Sequence, residues 1–167
     1  MKKPFIISFF GESHIETLKQ MAELENKIGK YLSFILEGEE SVALIMTNYD
    51  GNVFDLVAFL AADWLRILKP KVNLGIYLLA EKPCAERKYE ETVKWFEFDK
   101  QLSVKEGCTN DYITRAKILV DVADRIVCYV NENTSDKVAQ AFDYAVEQNK
   151  KIINFGNKQI TNNNTAG

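Results

Sequence analysis

The chain has 167 residues, 47% of them apolar and 27% charged, the size and composition of one globular domain with a core of its own. Its net charge of −3 argues against nucleic acid or an anionic membrane as partner, since both reward clustered Lys and Arg. Three cysteines (Cys84, Cys108 and Cys128) without metal-type spacing and a single histidine, His14, leave no His-based zinc site and suit reduced thiols in a cytoplasmic protein.

Lys2 and Lys3 precede the apolar run Phe5 to Gly11, which is too short to span a membrane and is expected to be a strand, not a signal peptide. Its unbroken apolar character from Phe5 to Phe10 predicts a central strand covered on both faces. Ile15, Leu18, Ala22, Ile28, Leu32 and Ile35 then recur with the spacing of an amphipathic helix, which Gly38 stops. Val42 to Met46 is a second buried strand, and Asn48 to Asn52 a turn. A helix is predicted from Val53 to Lys69, ending before Pro70, and a third strand from Val72 to Leu79. Between 83 and 110 the pattern weakens: Glu86 to Lys94 fits a helix, and Trp95 to Phe98 a short strand or an ordered loop. Periodicity returns in a helix from Tyr112 to Ala123, followed by the strand Ile126 to Val130. Asn133 to Asp136 supply cap-type residues for a helix through Val138, Ala141, Phe142 and Ala145. Lys150 to Phe155 is the last strand, closed by Gly156.

This alternation predicts an α/β fold: a doubly wound, Rossmann-like, mainly parallel sheet with helices on both faces. One domain is expected over residues 1–157, with a polar, flexible tail over 158–167. Such sheets bind ligands beyond the carboxyl ends of their strands, where the strand order reverses. The loops after Phe10, Met46 and Val130 therefore compete for the site.

Each loop has a functional reading and a plainer one. Gly11, Glu12, Ser13 and His14 allow close approach of a ligand to a helix amino end, or form a turn capped by Ser13 with Glu16 completing a capping box. Asn48, Asp50, Gly51 and Asp55 suit ribose hydroxyls or a base edge, although Asp50-Gly51 is also an ordinary turn pair. In the stretch Asn133 to Asp136, Thr134 and Ser135 suit donation to a phosphate at a helix amino end, where Asp136 would repel it, and capping of that helix explains the same residues. Arg115 is expected to bring a fixed positive charge to this rim, or else to lie on the surface paired with Asp111 or Asp121. The 53–69 helix has almost no polar face, so its excess apolar surface predicts cover by the 83–110 segment or by a second copy in a homo-oligomer.

In this order the pieces resemble the SLOG superfamily of Rossmann-like domains, within it the YpsA-like branch. The matching stretches are Phe9-Phe10-Gly11, Gly51 with Phe54-Asp55, Thr114-Arg115-Ala116-Lys117 through Ala123-Asp124, and Tyr144-Ala145 through Asn154. Where that branch has His-Arg after its first glycine, this chain has Glu12-Ser13, and its Gly-Gly phosphate turn falls on Asp136-Lys137. Related phosphoribohydrolases of the LOG type and nucleoside deoxyribosyltransferases carry a catalytic Glu at the position of Ala141. The resemblance therefore implies a non-catalytic module that binds a nucleotide or ADP-ribose-like small molecule, as a sensor, regulator or sequestering protein, with no metal or cofactor. Two alternatives stand beside it. One is an N-glycosidic-bond hydrolase or transferase using Glu12 or Asp55; the other is a regulatory interaction module that has lost its pocket.

Overall fold

A computed structural model describes residues 3–12, 17–47, 53–80, 100–103 and 111–160. Six strands, β1 (Phe5–Gly11), β2 (Ser41–Thr47), β3 (Asn73–Ala80), β4 (Lys100–Ser103), β5 (Arg125–Tyr129) and β6 (Ile152–Asn154), form one sheet in the order β4-β3-β2-β1-β5-β6. Every pairing is parallel. Four helices are described: α1 (Leu18–Leu36), α2 (Val53–Leu68), α3 (Tyr112–Val122) and α4 (Asp136–Glu147).

Successive side chains of a strand point to opposite faces, and the apolar strands use both. Ile7, Phe9, Leu44 and Met46 pack with Leu24, Ile28 and Leu32 of α1 and with Phe54, Val57 and Leu65 of α2. Phe10, Ile126, Cys128 and Val130 pack instead with Ala116 and Val120 of α3 and Val138, Ala141 and Phe142 of α4. The expected doubly wound sheet is thus present, with α1 and α2 on one face and α3 and α4 on the other. Burying each large side chain contributes about 2 kcal/mol, so both layers are needed. Among the described residues no helix is long and apolar enough to cross a membrane.

Element ends differ from expectation in instructive ways. The cap expected at Ser13 is made by Thr17, whose hydroxyl accepts from Gln20 N at 3.2 Å, so α1 starts at Leu18. The last strand ends at Asn154 because the Asn154 amide takes over the backbone bonds of Val130: its Oδ1 accepts from Val130 N and its Nδ2 donates to Val130 O, each at 2.9 Å. At the end of α4, Asn149 adopts φ 55°, the left-handed conformation that terminates a helix. The strand β4 extends the sheet at Lys100–Ser103, where none was predicted. The expectations for Glu86 to Lys94 and Trp95 to Phe98 lie outside the described residues. Lys158, placed in the tail by sequence, is held by its N–H to Val130 O at 3.0 Å and by its Nζ near Asp143 at 3.5 Å.

Candidate functional site at the carboxyl edge of the sheet

The strand order reverses between β1 and β5. The chain leaves β1 for α1 on one face and leaves β5 for α4 on the other, which opens a crevice at their carboxyl ends.

Gly11 closes β1 directly opposite Tyr129 of β5. A Cβ on Gly11 would lie 2.6 Å from Tyr129 N and 2.8 Å from Tyr129 O, so the close strand contact itself requires glycine. Glu12 N then donates to Tyr129 O at 2.9 Å, and its side chain crosses the crevice mouth. Glu12 Oε2 accepts from Ser135 N at 3.0 Å, across 123 residues of sequence. A carboxylate at this helix amino end is doubly favoured, by the amide donor and by the helix dipole.

Thr134 and Ser135 do not cap α4 as expected. Ser135 is the N-cap residue, but its hydroxyl makes no cap bond and its Oγ is buried without a hydrogen-bond partner among the described residues. Thr134 Oγ1 instead accepts from Asn131 N at 2.7 Å, tightening the β5–α4 turn. Asn133 and Asp136 are exposed. Glu12 thus does the capping, from the position where the SLOG pattern has a basic turn.

Arg115 is not a surface arginine. It is 3% exposed, and its Nε donates to Thr47 Oγ1 at 2.9 Å, while that hydroxyl donates on to Leu79 O at 3.2 Å. Its charge is therefore anchored under the ends of β2 and β3, and not at the rim of the β5–α4 turn. Of its expected partners, Asp111 feels the Arg115 charge, and both Asp111 and Asp121 also make bonds elsewhere. Asp111 caps α3 by accepting from Thr114 N at 2.8 Å, and hydrogen bonding to Thr114 holds its carboxyl below the ordinary range. Asp121 accepts from Tyr144 OH at 2.7 Å, which raises the Tyr144 phenol.

Asp55 sits in the first turn of α2, where the helix dipole favours a carboxylate, and both of its carboxylate oxygens are shielded from solvent. The adjacent Phe54 ring lies 6.5 Å from Phe9 and 6.2 Å from Tyr129, which sets this turn over the ends of β1 and β5. The structure thus brings Gly11, Glu12 and Ser135 together at the crevice, sets Asp55 in the first turn of α2, and anchors Arg115 at the ends of β2 and β3. Ser13, His14, Asn48, Asp50 and Gly51 lie outside the described residues.

Three residues not singled out from sequence shape this edge: Tyr129, Asn154 and Asn157. Besides Val130, Asn154 serves Gly156 N and Lys158 O, each at 2.9 Å, so all four of its hydrogen-bonding positions are used. Asn157 Oδ1 accepts from Glu132 N at 3.0 Å, and Asn157 N donates to Asn131 Oδ1 at 2.9 Å. The available signal was an asparagine inside an apolar strand run, which needs a polar task. No family model and no curated protein matches the chain.

Proposed function

We propose that this chain is a non-catalytic, SLOG-like module that binds a nucleotide-derived small molecule at the carboxyl edge of β1 and β5, as a sensor, regulator or sequestering protein. The observation that carries this reading is the reversal of strand order at β1 and β5, with the Glu12 carboxylate at the mouth of the crevice. Open parallel sheets place ligands at that point, and carboxylates there accept hydrogen bonds from ribose hydroxyls. Since Glu12 already holds Ser135 N, the ligand's sugar is the better match for this edge than a phosphate seated on α4. Absence of catalysis is supported by Ala141, which is fully buried in the layer between α4 and the sheet and carries no group able to act as acid, base or nucleophile. A cytoplasmic setting fits the buried, unpaired thiol of Cys128.

Calorimetric titration with nucleosides, nucleotides, ADP-ribose and cyclic ADP-ribose tests the proposal. At least one ligand is expected to bind, and Glu12→Gln is expected to weaken it about tenfold, the effect of losing a hydrogen bond to a charged group. No heat and no thermal shift with any ligand would overturn it. Chromatography of the same mixtures is expected to show no released base; base release would favour the glycosidic-bond enzyme.

A further inference from the structure

The outer side of α2 carries large apolar side chains in the open. Leu60, Trp64, Ile67 and Leu68 are 42%, 59%, 67% and 57% exposed, and their spacing of four, three and one residues puts them in a single stripe. The stripe borders a groove of about 390 Å³ between α1 and α2, floored by the small residues Ala22, Gly29 and Ser33 and walled by Glu25 and Lys30. We propose that this face is the contact between two copies of the chain, packed with α2 antiparallel to α2 about a two-fold axis near Trp64.

Charge identifies the occupant. The groove wall carries one acid and one base, and Asp63 beside the stripe pairs with Arg66 at 3.8 Å. A polyanion, an acidic membrane or a strongly charged peptide selects a face of one sign. A two-fold contact instead selects a face that complements itself, because each residue meets its counterpart in both directions.

Register supports the same axis. Lys69 Nζ reaches Ser33 O at 3.2 Å, and the groove is lined by Ala22 to Ser33 of α1 and by Ala61 to Leu68 of α2, so these two stretches lie alongside each other. On that alignment the midpoint between Glu25 and Lys30 on α1 falls beside Trp64 on α2. One axis therefore sets Trp64 against Trp64 of the partner subunit, Leu60 against Leu68 of the partner subunit, and Glu25 against Lys30 of the partner subunit. Two helices side by side, about 24 Å long and 20 Å across together, offer about 500 Å² per copy. The pair then buries about 1,000 Å², the lower bound of a specific contact.

Sedimentation equilibrium over a wide concentration range decides the matter. The wild-type chain is expected to dimerise. Trp64→Glu is expected to raise the dissociation constant by at least about 30-fold, as for a central aromatic anchor, with circular dichroism and thermal unfolding of the monomer unchanged. Lys30→Glu is expected to weaken the dimer, and adding Glu25→Lys to it to restore the dimer by exchanging the two charges; this pair decides the register should Trp64→Glu fail to fold. A wild-type monomer at the highest concentration would overturn the proposal. So would a dimer indifferent to Trp64→Glu, or a double reversal no better than the single one.

Discussion

Asp111 accepts the Thr114 amide at 2.8 Å, and that bond exists for the carboxylate more strongly than for the acid. Its folded-state ionisation lies below the ordinary value of 3.8, so its contribution is complete above that value and is lost as the pH falls through the lower, folded one. Asp111→Ala is expected to cost about 1 kcal/mol at neutral pH, the usual worth of an N-cap. Urea unfolding of both proteins checks this, and the gap between them should close in acid. Cys128 makes the opposite case. Its thiol is fully buried, and desolvation pushes its ionisation far above the ordinary range. The thiolate is the reactive species, so mass spectrometry after alkylation of the native protein should find Cys128 unmodified, and modified once urea is added.

At the scale of elements, the β6 end is fastened by a side chain as well as by the backbone bond from Phe155 N to Cys128 O. Asn154→Ala would leave Val130 N, Val130 O, Gly156 N and Lys158 O without their present partner, although Lys158 N still serves Val130 O. A loss of about 3 kcal/mol is expected in urea unfolding, at about 1 kcal/mol per bond with one group compensated. Glycine is required here too, since a Cβ on Gly156 would collide with Val130 O. The alternating strands and helices were legible in the sequence because burial on both faces leaves continuous apolar strands, and amphipathic helices leave a 3.6-residue period. Ends were less legible, since Thr17 and Ser13 are equally good caps on paper and the choice between them depends on how the chain leaves β1. At the site, Gly11 and Asp55 could be placed by their strand and helix ends. The Glu12 bond to Ser135 could not, because no local pattern links residues 123 apart.

For the molecule as a whole, the order β4-β3-β2-β1-β5-β6 puts β1 in the middle with a parallel partner on each side. The amides of β1, β2 and β5 are therefore expected to exchange with solvent hydrogen most slowly, through global unfolding alone, while the first turn of α1 exchanges faster. Deuterium labelling followed by peptide mass analysis would show this ranking. The same order governs what happens while the chain is being made. The β2 partner of β1 comes with the next strand in sequence, but the other edge must wait for β5, and the bond from Ile6 N to Asp124 Oδ2 next to that pairing spans 118 residues. Until the ribosome has released that stretch, β1 has one open, apolar edge bearing Phe9 and Phe10, the kind of surface on which nascent chains aggregate or recruit chaperones.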